Sequence, residues 1–232
     1  MTVELALRGV RAGYGPVEVL HGIDLDVPAG ALTALVGANG AGKTTLLSVL
    51  AGVLPVRAGS ILWRGRRLDG VPADERARAG LALVPERRGI FGSMPVRDNL
   101  EVFAGRGVDL APAFEAFPIL EQRLDQLADS LSGGEQQMLA VSRAILARPS
   151  LLLVDEISFG LAPRITHQLF EVVAELARTG TTVVLVDQHL TEVLRLADVV
   201  YVLARGGIAF AGEPAELQGQ PIPGYVTTGA QA

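Results

Sequence analysis

Leu32-Thr33-Ala34-Leu35-Val36-Gly37-Ala38-Asn39-Gly40-Ala41-Gly42-Lys43-Thr44-Thr45-Leu46-Leu47 decides the reading of this chain. Leu32–Val36 reads as a buried strand, Gly37–Gly42 as a glycine-rich turn, and Gly42 to about Leu50 as a helix. The turn fits G-x-x-x-x-G-K-[ST] and sits between strand and helix, where that pattern has to sit. Glycines let backbone N–H groups converge on an anion, and the helix points its positive N-terminus at the same spot. A phosphate site is therefore expected at Gly37, Ala38, Asn39, Gly40, Ala41 and Gly42.

The charges support a local site of this kind. Lys and Arg total 20 against 25 Asp and Glu, a formal charge of −5, which argues against the basic footprint of a nucleic-acid binder. Lys43 is the sole lysine; every other cation of that pair is arginine. A compact ammonium suits the β- and γ-phosphates of ATP better than a planar guanidinium. Thr44 would place its hydroxyl on Mg²⁺, and the backbone amide of Thr45 would face the α-phosphate.

Working outward, short apolar runs read as strands at Val3–Leu7, Leu81–Val84, Leu151–Val154, Val183–Val186 and Val199–Leu203. Helices are expected at Gly134–Ala147 and at Pro163–Arg178, where Ile165, Leu169, Val172, Val173 and Leu176 recur at helical spacing. Strands alternating with helices predict an α/β fold whose sheet is covered on both faces. Between about Asn99 and Ser130 no strand signal occurs, consistent with a small helical insert. The run Leu151–Val154 ends in Asp155 and Glu156, whose side chains point to opposite sides of a strand. Asp155 suits Mg²⁺ through water, and Glu156 suits the water that attacks the phosphate.

Leu131-Ser132-Gly133-Gly134-Glu135-Gln136-Gln137, downstream of the phosphate loop and upstream of the acidic strand, resembles the signature of ABC ATPases. The resemblance spans residues 3 to about 217. It implies a P-loop NTPase core with a mainly parallel sheet flanked by helices, an antiparallel β portion near the N-terminus, and a small helical subdomain at about 88–148. In that family two ATPase domains pair head to tail, which would assign Ser132 and Gly134 to the partner's nucleotide. Tyr14, in Ala-Gly-Tyr-Gly, matches an aromatic residue that stacks on adenine. His189, in Val-Asp-Gln-His, matches the switch histidine at the γ-phosphate; His21 and His167 match nothing of the kind. Glu86 stands where most of the family has a Gln that contacts Mg²⁺ and senses the membrane partner.

Val-Pro-Glu-Arg-Arg-Gly-Ile-Phe (84–91), Val96-Arg97-Asp98-Asn99-Leu100 and Ser158-Phe159-Gly160-Leu161-Ala162-Pro163 are similar to the branched-chain amino-acid importer ATPases of the LivF type. Ile157 departs from the usual Pro, and His189 from a frequent Asn. The resemblance implies an ATPase subunit at the cytoplasmic face of the membrane. Its implied partners are integral-membrane permease subunits, a second ATPase subunit (itself or a related chain) and, through the permease, an extracytoplasmic solute-binding protein. Branched-chain or other amino acids, amides and urea all remain open as cargo. The alternative is a non-transport ABC ATPase acting on nucleic acid, ribosomes or complex assembly, which shares the site chemistry.

Composition narrows the rest. The chain has no cysteine, which excludes disulfides, thiolate metal sites and cysteine nucleophiles and fits a reducing compartment. Its apolar runs are far shorter than the roughly 18 residues that span a bilayer, and no signal-peptide pattern opens the sequence, so a soluble intracellular protein is expected. Residues 218–232, rich in Gly, Pro and Thr, read as a mobile tail.

Overall fold

Burial alternates along the central strands, and that alternation sets the layers. In β3 (Leu32–Val36), Leu32, Ala34 and Val36 belong to one buried cluster and Leu35 to the other. The same split recurs in β7 (Leu151–Asp155), where Leu152 and Val154 face one way and Leu151 and Leu153 the other. A strand apolar on both faces must be covered on both.

The computed structural model describes residues 2–105 and 107–217. The expected tail at 218–232 lies outside the described residues. Six strands form the central sheet: β6 (Leu81–Val84), β7, β8 (Thr182–Val186), β3 and β9 (Val199–Ala204) run parallel in that spatial order, and β10 (Gly207–Gly212) closes the edge antiparallel to β9. A second, antiparallel sheet has the order β2 (Val17–Pro28), β1 (Val3–Tyr14), β4 (Ala58–Trp63), β5 (Arg66–Arg67). Helix α1 (Lys43–Leu50) packs its Leu46, Leu47, Val49 and Leu50 with Leu5, Leu7 and Leu20 of that sheet and with Leu153 of β7. Helix α2 (Ala73–Arg78) links the second sheet to β6.

The opposite face carries α5 (Gly133–Ala147), α6 (Pro163–Arg178) and α7 (Leu190–Leu196), which bury Leu139, Leu169, Phe170, Val173 and Val193 against the sheet. Helices α3 (Val96–Ala104) and α4 (Ala111–Ala116) lie in the expected helical stretch. Their Val96, Leu100 and Ala113, with Phe117 and Leu120 of the following 3-10 turn, join the same cluster as Ala34 of β3. The helical stretch and the sheet thus share one continuous apolar core.

One expectation needs correction. The first strand continues from Leu7 to Tyr14, because Gly9, at φ +57°, and several register shifts bend the pairing without ending it. Helix α6 keeps its expected bounds and face: Leu169 and Val173 are buried, and Ile165, Val172 and Leu176 pack against the same core.

Candidate functional site

The turn between β3 and α1 is shaped by close approach. A Cβ on Gly37 would stand 2.2 Å from the carbonyl oxygen of Leu203 in β9. Gly42 precedes α1 at φ +110°, a conformation open to glycine, and no side chain caps the helix. The first N–H groups of α1 therefore keep no side-chain acceptor and point outward. Lys43 is 5% exposed and folds back on the turn, its Nζ donating to the carbonyls of Gly37 at 2.8 Å and Ala38 at 3.1 Å. Burial holds its ammonium below the usual lysine range, opposed by the charges of Glu156 and Asp155.

A cavity of about 530 Å³ opens over this turn. Asn39, Gly40, Gly42, Lys43, Thr44 and Thr45 line it together with Glu86 and Glu156, and Val19, Phe159 and Gln188 complete the wall. Ala41 is buried in the core between the two sheets.

Asp155 ends β7 and is 3% exposed. Burial pushes its carboxyl up to about 6, against the Thr44 hydroxyl, which donates to its Oδ1 at 3.3 Å. Glu156 leaves the strand in a left-handed turn at φ +47°. Its N–H donates to Val186 O at 2.8 Å, and its Oε2 accepts from Gln188 Nε2 at 2.7 Å. The two carboxylates that adjoin in sequence thus diverge, one into the protein beneath Thr44 and one into the cavity wall.

Among the described residues no group of three His, Cys, Asp or Glu side chains converges as a metal cage. The donors at hand are hard oxygens: the Thr44 hydroxyl, the Asp155 carboxylate and, in the same cavity, Glu86. That set fits Mg²⁺, which is held by one or two protein oxygens together with phosphates and water.

Other residues singled out in the sequence lie elsewhere. Ser132 and Gly134 line a separate cavity with Leu161, Ile165 and Gln168. Ser132 caps α5 in a capping box: its Oγ accepts from the Glu135 N–H at 3.4 Å and its N–H donates to Glu135 Oε2 at 2.8 Å. Those hydrogen bonds from Ser132 hold the Glu135 carboxyl below its ordinary range. Tyr14, 52% exposed at the end of β1, is not part of the cavity wall, whereas Val19 across the hairpin is. His189 is exposed, with its ring edge-on to Phe170 at 6.4 Å; the wall position two residues beyond β8 belongs to Gln188. His21 and His167 are exposed.

Val19, Phe159 and Gln188 escaped the sequence reading. Gln188 and Phe159 had a signal, since residues just past the carboxyl ends of parallel strands are where α/β sheets bind ligands.

The comparisons with known proteins agree with this geometry. The family model described as ABC transporter matches residues 20–158. The high-affinity branched-chain amino acid transport ATP-binding protein BraG of Pseudomonas aeruginosa is 42% identical, over 94% of this chain and 96% of its own length. The probable branched-chain amino acid transport ATP-binding protein LivF of Archaeoglobus fulgidus is 33% identical, over 91% and 93%. A solved ATP-binding subunit of an ABC transporter superposes with a TM-score of 0.82 at 28% identity, covering 94% of this chain and 93% of that one. A glycine-rich turn ahead of α1, an acidic strand end and near full-length similarity coincide in one fold, and on these grounds the chain belongs to the ABC transporter ATP-binding family.

Proposed function

We propose that this chain binds MgATP, hydrolyses it, and thereby powers import of amino acids, branched-chain ones first, through a separate membrane permease. The observation that carries this is the 42% identity to a branched-chain amino acid transport ATP-binding protein along 94% of the chain. The meeting of Lys43, Thr44 and Glu156 in one cavity, with Asp155 beneath Thr44, supports the chemistry. Residues 3–217 act as one ATPase domain, with the helical subdomain at about 88–148.

In this reading Lys43 turns its donors from the carbonyls of Gly37 and Ala38 to the β- and γ-phosphates. The uncapped start of α1, from Gly40 to Thr45, holds the rest of the phosphate chain. Thr44 and Asp155, with Glu86 nearby, hold Mg²⁺, which when bound neutralises charge developing on the phosphates. Glu156 orients the attacking water and takes its proton, a role worth about 10² to 10⁴ in rate. Tyr14 closes over adenine and His189 swings toward the γ-phosphate when a second ATPase subunit, self or related, brings its own Ser132 and Gly134 counterparts onto the nucleotide.

Among the described residues no helix is long and apolar enough to cross a membrane. The permease is then a different chain, this one sits at the cytoplasmic membrane face, and a solute-binding protein delivers cargo on the other side. The acidic net charge weighs against direct contact with nucleic acid.

The test is co-purification of the tagged chain from detergent-solubilised native membranes. A polytopic permease and an ATPase subunit co-eluting in fixed ratio are the expected result. Ribosomal, nucleic-acid or purely soluble partners would overturn the transport reading in favour of the non-transport alternative.

A further inference from the structure

The loops that leave β7 and β8 are tied to each other at successive points. The Glu156 N–H donates to Val186 O at 2.8 Å, extending the sheet one step past the strand ends. Beyond it, Asp187 is fully buried and accepts from the Ser158 N–H at 3.1 Å, the Ser158 hydroxyl and the His189 N–H at 3.0 Å. No ion pair holds Asp187 among the described residues. A carboxylate taken out of water and satisfied by fixed donors from both loops makes a rigid strut between them.

Gln188 stands between that strut and the cavity. Its Nε2 donates to Glu156 Oε2 at 2.7 Å, and both residues line the same cavity as Lys43. An amide nitrogen can only donate, so the bond occupies one carboxylate oxygen and leaves Oε1 for other partners. Glu156 itself sits at φ +47°, a backbone state that L residues rarely adopt and that persists only where surrounding contacts over-determine it.

We propose that Gln188 is a positioning residue: anchored by the Asp187–Ser158 strut, its side-chain amide fixes the rotamer of Glu156 so that one oxygen faces the phosphate end of the cavity. The proposal rests on the reading of Glu156 as the group that activates water. It assigns a role to a side chain that the motif reading passed over in favour of its neighbour His189.

The test compares Gln188→Met and Gln188→Glu in the full chain, alone and combined with Glu156→Gln. Both Gln188 variants keep the length of the side chain and lose the donor. The expected result is a fall of about tenfold or more in kcat for MgATP, the size of one hydrogen bond to a charged group. KM for ATP and the affinity for a fluorescent ATP analogue should stay within about twofold. In the Glu156→Gln background Gln188→Met should cost nothing further. The proposal is overturned if Gln188→Met keeps kcat within twofold, if its cost recurs undiminished beside Glu156→Gln, or if analogue affinity falls as far as kcat. Wild-type turnover in Glu156→Gln alone would instead overturn the water-activating reading, and this proposal with it. An impaired Glu156→Gln beside a fully active Gln188→Met would overturn the positioning role only.

Discussion

Two helices in this molecule begin at glycine-rich turns, and they treat their free N–H groups in opposite ways. Helix α1 starts at Gly42 with no side-chain cap and no acidic residue in its first turn. Helix α5 starts at Ser132 with a closed capping box to Glu135. The first leaves its positive end open and sets Lys43 beside it, an arrangement that suits an anion from outside. The second has its own carboxylate in place and is locally complete. A glycine-rich helix start thus offers N–H groups free of internal competition only where the chain withholds a cap. For α5 to meet an external phosphate, that phosphate must compete with Glu135 or approach beside it.

The comparison can be sharpened first at the far wall of the α1 cavity. Glu156→Gln leaves the turn intact, so MgATP should bind as in the wild type while turnover drops by about 10² to 10⁴ and ATP-bound dimers accumulate on gel filtration. Lys43→Met keeps the buried stem and removes the ammonium. Nucleotide affinity should fall about ten- to a hundredfold, the span for lost hydrogen bonds to a charged group, with no loss of thermal stability, since burial already disfavours that charge. Unchanged affinity by titration calorimetry would break the contrast, for the open helix end would not be what holds the anion.

Smaller effects belong to α5. Ser132→Ala should lower stability by about 1 kcal/mol through the lost cap, with MgATP affinity of the isolated chain unaltered. Glu135→Ala should destabilise to a similar degree, and its pH dependence has a definite sign. Because the folded Glu135 carboxyl lies below 4.5, its contribution is complete above that value and fades as pH falls through the folded pKa. The gap in Tm between wild type and Glu135→Ala should therefore be constant near neutrality and close only as pH falls below the ordinary glutamate range. A gap that instead widened in acid would mean that the box does not stabilise the charged form.

How much of this was legible in the sequence depended on whether the relevant residues adjoin. The central strands announced themselves because burial on both faces makes each a continuous apolar run, as in Leu151–Val154. Strand β2 did not, although Ile23-Asp24-Leu25-Asp26-Val27 alternates as a half-buried strand must; it pairs with a bulged neighbour that blurs the hairpin. Strand β5 has two residues and β10 contains two glycines, too little pattern for periodicity to register. At the site, Gly37–Thr45 and Asp155–Glu156 were readable because each is contiguous. Gln188 was not, because its significance is a hydrogen bond to Glu156, 32 positions earlier in the turn that follows the neighbouring strand β7. Val19 was hidden for a similar reason, since it reaches the cavity only once the β1–β2 hairpin folds over α1.

The close approach of Gly37 to β9 has a consequence for how this sequence can drift. In the proposed function Lys43 answers to phosphate, but Gly37 answers to its neighbour: a Cβ there collides with the Leu203 carbonyl at 2.2 Å whether or not a nucleotide is present. A descendant released from ATP would be free to shed the lysine while the sheet still refused any side chain at 37. The first glycine of the motif would then outlive the chemistry, and a surviving glycine without its lysine would mark ancestry rather than activity.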